Sequence, residues 1–245
     1  MKMKKTLCLA LSLMMALSVS QVASAHGVWV ATRLDKAQIV LGEGPLDNAY
    51  ESSMVKSVQG YDAKYNKTTV KVTKASDHVT LNPSEKTAVI GIKFDYGYWS
   101  QGADGKFQHV PKTELKDAKM GMQTLKYNVS YLSAVSKVKA VPNMEYQIVP
   151  QSDPTKLKVG DKLKVQVVDK NKKPVAGAEI IPDLINHYTD TIETDAKGMA
   201  TITIQNATVN VIAAEFDVPY TAKDKKADKI SVCATLSFTV LADSE

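Results

Sequence analysis

The sequence predicts an all-β protein, with two immunoglobulin-like or prealbumin-like β-sandwich units behind an export leader. Three observations carry this. Short β-branched runs recur along the chain: Val55 to Tyr61, Thr68 to Val72, His78 to Leu81 and Thr87 to Phe94. Several runs alternate strictly. Leu163, Val165 and Val167 point one way while Lys162, Lys164 and Gln166 point the other, and Ala234 to Val240 repeats the pattern. That period of two is the mark of a strand with one buried face. Finally, Gly, Pro, Asn and Asp separate the runs. Asp169 to Pro174 reads as a hairpin loop and Asp195 to Gly198 as a tight turn. Strands at this spacing with such turns favour a sandwich.

The leader comes first. Lys2, Lys4 and Lys5 precede an apolar run from Leu7 to Val19, and Ala23-Ser24-Ala25 supplies the small-residue pattern of a cleavage site. Residues 1–25 therefore read as a secretory signal peptide, and the expected location is the periplasm. No other stretch approaches the roughly 18 apolar residues of a membrane span. Loss of the three leader lysines lowers the formal charge from +5 to +2. With no basic stripe interleaved with aromatics, nucleic acid is excluded as a partner. Cys8 leaves with the leader, so Cys233 has no intramolecular partner and reads as a small core residue.

Two units are expected in the mature chain, 26–141 and 142–245. Ala140-Val-Pro142-Asn143 and Pro150-Gln-Ser-Asp-Pro154 mark the change of direction between them. The segment 117–139 fits two readings. Leu125, Val129, Leu132 and Val135 recur at helical spacing, whereas Thr124 to Tyr131 reads as extended, and the extended reading is favoured.

Chemistry concentrates at the mature start. Cleavage after Ala25 leaves His26 as the first residue. Its α-amino nitrogen and ring Nδ1 can then close a six-membered chelate on one ion. The α-amino group titrates near about 7.7–8.0, so the free amine is accessible at neutral pH. Imidazole suits Ni, Cu, Zn and Co, with copper bound most strongly. Glu43 lies between Gly42 and Gly44, which let the backbone approach a ligand. His187 has Asp183, Asn186 and Asp190 close in sequence, which could hold a cation, although a solvated loop is the ordinary reading of that stretch. His26, Glu43 and His187 are the candidate metal ligands. His78 and His109 read as turn or loop residues, and Met120 with Met122 as core. Tyr96, Tyr98, Trp99 and Phe107 form an aromatic cluster that reads as packing.

Catalytic signals are poor: there is no Gly-x-Ser-x-Gly, His-Glu-x-x-His, phosphate loop or dinucleotide fingerprint. The protein is expected not to be an enzyme.

Taken together, several motifs carry a resemblance over nearly the whole mature chain. They are His26-Gly-Val-Trp29-Val, Gly42-Glu-Gly44 with Asp47-Asn-Ala-Tyr50, and Asp95-Tyr-Gly-Tyr-Trp99-Ser-Gln-Gly102-Ala-Asp104-Gly-Lys. Lys173-Pro-Val-Ala-Gly177-Ala, Thr194-Asp-Ala-Lys-Gly198, Asn210-Val-Ile-Ala-Ala and Ala234-Thr-Leu-Ser-Phe238 follow. The chain resembles the bacterial periplasmic proteins described as the nickel uptake transporter family, or periplasmic component of a cobalt transport system, much of which is known only as a domain of unknown function. The resemblance implies a two-part exported β protein that serves transition-metal uptake beside an envelope transporter or receptor. Relatives often carry a histidine between the glycines of the first motif, where this chain has Glu43, and histidines near the places of Phe216 and Val232. Two other readings stand beside it. One is a non-catalytic immunoglobulin-like module that binds an envelope protein or glycan. The other is a copper-dependent oxidative enzyme, which needs a second histidine on the same face as His26.

Overall fold

A computed structural model describes residues 26–240; the stretch expected to be a leader, with its expected cleavage site, lies outside the described residues. Among the described residues there are sixteen strands and only single turns of 3-10 helix. In chain order the strands are β1 (Gly27–Arg33), β2 (Lys36–Gly42), β3 (Val55–Tyr61), β4 (Lys67–Thr68), β5 (Val70–Lys74), β6 (Val79–Pro83), β7 (Val89–Gln101) and β8 (Phe107–Gln108). They continue with β9 (Met120–Tyr131), β10 (Tyr146–Pro150), β11 (Lys162–Asp169), β12 (Glu179–Ile181), β13 (Ile192–Glu193), β14 (Met199–Thr203), β15 (Val209–Pro219) and β16 (Lys229–Thr239). The all-β sandwich class holds, and 117–139 contains a strand, β9.

The largest sheet runs β13-β12-β15-β16-β9-β7-β3-β4, with β8 against β7. All its pairings are antiparallel but one: β16 lies parallel to β9, with Cys233 opposite Lys126 and Thr235 opposite Asn128. This pair joins sequence from both sides of the proline-marked stretch at 140–157, so the sheet is continuous across it. A three-stranded sheet, β10-β11-β14, covers one face. There Ile148, Leu163, Val165, Val167 and Ile202 meet Tyr127, Val129, Ile212, Leu236 and Phe238. The alternation of β11 thus points its valines into this core and its lysines to water, as the sequence predicts.

The opposite face is different. Along β7, Ile90, Ile92 and Phe94 are apolar; along β15, Val211 and Ala213 are apolar. Between them, β9 presents Lys126, Asn128 and Ser130, and β16 presents Thr235 and Ser237, all buried. The four-stranded sheet β1-β2-β6-β5 meets this face with its β1 edge. Val28 joins the core with Ile90, Ile92 and Phe94, while Trp29 and Ala31 join the one with Val211, Ala213 and Cys233. An edge strand leaves one row of backbone groups unpaired, and burying that row without partners is costly. Here the polar strip supplies the partners. Lys126 Nζ donates to His26 O and Thr235 Oγ1 donates to Val28 O. Asn128 Nδ2 donates to Thr235 Oγ1 at 3.0 Å and to Ser237 Oγ at 3.2 Å, which keeps the strip internally bonded. Gly27 allows the close approach: a Cβ there would sit 2.5 Å from Leu184 Cδ2 and 2.9 Å from Thr235 Cγ2.

Both turn readings hold. Asp195 to Gly198 turns into β14 as expected, with Gly198 at φ +67° and Asp195 Oδ1 accepting from Lys197 N and Met199 N. Asp169 to Pro174 is a short hairpin loop, as expected: Val168 pairs antiparallel with Pro174, Asp169 N donates to Lys173 O at 3.0 Å and Val175 N donates to Val167 O at 3.0 Å. Asp169 Oδ1 caps it by accepting from Asn171 N and Lys173 N. Beyond that short pairing the chain changes sheet: β11 pairs with β10 and β14, whereas β12 pairs with β13 and β15.

Candidate metal centre at His26 and Glu43

The register of the β1–β2 hairpin builds the site. Gly27 pairs with Gly42, so the next residues outward, His26 and Glu43, emerge side by side from the two strand ends. His26 Nδ1 lies 4.0 Å from Glu43 Oε1, and both side chains are mostly covered. Glu43 Oε2 is buried and has no hydrogen-bond partner.

Beneath them lies a row of directly opposed residues on adjacent strands: Glu215 on β15, Cys233 on β16, Lys126 on β9 and Phe94 on β7. Lys126 is fully buried. Its Nζ is also 5.2 Å from the centre of the Tyr96 ring, in cation–π reach. Tyr96 reaches this position from a β-bulge. The β7–β9 register shifts between Asp95 and Tyr98, with Gly97 at φ +80° and its N–H donating to Asp95 Oδ1 at 3.0 Å. Bulges commonly re-aim a side chain in this way. The Tyr96 ring lies 6.3 Å from that of His26 and 5.6 Å from that of His109.

The electrostatics follow from burial and this one cation. Burial lowers the His26 imidazole below its usual range, and the charge of Lys126 lowers it further. Burial raises the Glu43 carboxyl, and Lys126 opposes that rise. Burial pushes the Lys126 ammonium down, while Cys233, Glu215 and Glu43 pull the other way. The Cys233 thiol is pushed up to about 12, by burial first and then by the charge of Glu215, to which it is hydrogen-bonded. Cys233 is thus a protonated, unreactive core thiol.

Of the three residues expected as ligands, the structure brings His26 and Glu43 together and leaves His187 apart. His187 is exposed, and its N–H donates to Asp183 O. The Asp183 carboxylate is buried and staples the same loop. It accepts from Ile185 N, Asn186 N and Asn186 Nδ2, so it is not presented to a cation. The loop does brace the site from behind, since Gly44 N donates to Leu184 O at 2.8 Å. His109 is committed elsewhere: Nε2 bonds Tyr96 O at 2.8 Å and the ring stacks on Trp99 at 4.5 Å. His78 pairs with Asp77 at 2.7 Å on the surface. Phe216 and Val232 oppose each other and pack into the other core, away from His26. Among the described residues, no three His, Cys, Asp or Glu side chains form a ready metal cage. The His26–Glu43 pair would need the His26 α-amino nitrogen as its third donor.

Sequence reading missed Lys126 and Glu215. Lys126 alternates with Leu125 and Tyr127 and so resembles a solvent-facing residue. The one signal was its company on that face: Asn128, Ser130, Thr235 and Ser237 are short and uncharged, unlike the lysines on the exposed face of β11.

No helix among the described residues is long and apolar enough to cross a membrane. No solved structure matches the chain. A protein of Haemophilus influenzae, described as uncharacterized, is 26% identical over 182 residues, which is 74% of this chain and 75% of that relative. The family model described as Domain of unknown function (DUF4198) matches residues 20–217, from just before His26 through most of β15, and the chain belongs to that family.

Proposed function

We propose that this is an exported, non-catalytic metal-binding protein that captures a divalent transition metal at the mature N-terminus for an envelope transporter. The expected cargo is nickel or cobalt, with copper and zinc as competitors. The observation that carries this reading is the Glu43 carboxylate. One of its oxygens is buried without a partner and the other lies 4.0 Å from His26 Nδ1. A buried carboxylate oxygen without a partner is costly. A cation held between the two side chains would offset that cost. Metal–nitrogen and metal–oxygen bonds of about 2.0–2.2 Å each are long enough to span such a gap.

The remaining donors come from the chain itself. Cleavage after Ala25 would free the α-amino nitrogen, which chelates together with Nδ1, the ring atom nearest Glu43. Its lowered pKa keeps the imidazole in the unprotonated form that a metal requires.

The test is competitive binding of nickel, cobalt, copper and zinc to protein that begins at His26 and to the same protein with one alanine ahead of it. Tight binding that the added alanine weakens at least a hundredfold supports the N-terminal chelate. Equal binding by both forms would refute it. No binding by either would favour an interaction module that takes an envelope protein or glycan.

A further inference from the structure

We propose that Lys126 is the positioning residue of this site: it clamps the first residue of the mature chain through the main chain, from beneath. The proposal deepens the reading of His26 as a ligand and rests on it for its functional consequence. The clamp itself rests on geometry alone.

A wholly buried lysine needs a reason, because an apolar side chain of similar volume would fill the space without the cost of desolvating a charge. The Lys126 ammonium donates a hydrogen bond to the carbonyl of His26. One step along the strip, Thr235 does the same for Val28. The outward carbonyls of His26, just ahead of β1, and of Val28 within it are therefore tied to the central sheet, one by a long cation and one by a short hydroxyl. The difference follows from where each donor stands. Thr235 lies on β16, close enough to Gly27 that a Cβ there would clash with it. At His26 the strand end is reached from β9, where the lysine stem spans the distance and the Tyr96 ring covers the ammonium at 5.2 Å.

The consequence concerns His26. A chain terminus is poorly ordered unless something ties it down. β1 is paired with β2 from Gly27 onward, so His26 lies one residue beyond the ladder. Fixing its carbonyl fixes the peptide plane that holds its Cα, and so the point from which the imidazole and the α-amino nitrogen reach toward Glu43. Lys126 thus preorganises the chelate against Glu43 without touching the metal.

The test compares the processed full-length protein with Lys126→Met and, as a matched control from the far end of the strip, Ser237→Ala. Two properties are read: hydrogen exchange of the Gly27 amide in metal-free protein, and affinity for Cu(II) alone together with its electron paramagnetic resonance spectrum. Lys126→Met is expected to speed exchange at Gly27 at least tenfold while the amides of Ile39 and Leu41 keep their rates. It is also expected to weaken Cu(II) binding at least tenfold and broaden the spectrum; Ser237→Ala should do neither. A folded Lys126→Met protein with unchanged exchange at Gly27 would overturn the clamp. If the unsubstituted protein fails to bind Cu(II), the ligand reading falls and the exchange measurement still decides the clamp. Should Lys126→Met fail to fold, nuclear magnetic resonance of the unsubstituted protein with labelled lysine decides instead. Slowly exchanging Nζ hydrogens with cross-relaxation to His26 Hα are expected, and their absence would overturn the proposal.

Discussion

His26 and Glu43 were legible in the sequence because each is a chemistry-bearing residue at a marked place: one after a cleavage pattern, the other between two glycines. Their meeting was not legible, since it depends on the register Gly27 to Gly42 and on a hairpin that ends both strands together. Glu43→Gln keeps the shape of the side chain and removes its charge. It should weaken metal binding about tenfold or more, measured by competition, and barely move the melting temperature. The pH dependence should be that of one proton. Burial and Lys126 hold the imidazole below its usual 6.5, so the α-amino group, at about 7.7–8.0, is the one that takes up a proton as pH falls from 8 to 6.5. Affinity should then drop close to tenfold per pH unit in that window; a hundredfold slope would mean that the imidazole titrates there too. In the metal-free protein the same depressed pKa has a folding consequence. The contribution of neutral His26 is present above 6.5 and is lost as pH falls below it through the folded-state value. Cys233, with its thiol pushed up to about 12 and no exposed surface to speak of, should resist alkylation at pH 8 until the protein unfolds.

The strands that were easy to read are those whose polar face meets water. β11 shows lysines outward and valines inward, and its pattern maps directly onto its burial. β16 has the same alternation, yet Thr235 and Ser237 are as buried as Leu236. Period-two patterning separates the two faces of a strand but does not say that the polar one is wet. The distinction lies in the kind of polar residue, because short hydroxyls and amides can satisfy each other and an approaching strand edge, whereas long charged chains need solvent or, as for Lys126, a partner within the fold. Gly27→Ala should therefore destabilise the protein by about 1–3 kcal/mol, the usual range for overpacking a filled interior, and a chemical denaturation curve would show it. The far end of the same hairpin offers the opposite change. Leu34 and Asp35 both have positive φ, +47° and +61°, and Leu34 is 96% exposed. A two-residue turn of this kind favours Asn-Gly, so Leu34→Asn with Asp35→Gly should raise stability by about 1 kcal/mol, seen as a higher denaturation midpoint.

At the scale of the whole molecule, the parallel β9–β16 pair organises the fold. The last described strand returns to lie beside one from the first half, and the polar strip they share receives β1, the first. Proline-marked composition pointed to a boundary near 141, but no local pattern announces a pairing between residues about a hundred positions apart. Calorimetry of the intact chain should show one cooperative transition, and a fragment of residues 26–141 should not fold alone, because it lacks Thr235 and the wall formed by β15 and β16. Two separate transitions would contradict this. The same long-range closure places His26 over Lys126 and against Glu43, and the function proposed depends on that placement. Anomalous diffraction from a nickel-loaded crystal of the processed protein tests it most directly. A peak is expected about 2.0–2.2 Å from His26 Nδ1 and within bonding reach of both the His26 amino nitrogen and a Glu43 oxygen. A peak at His187 or His78, with the His26–Glu43 gap lacking metal density, would contradict it.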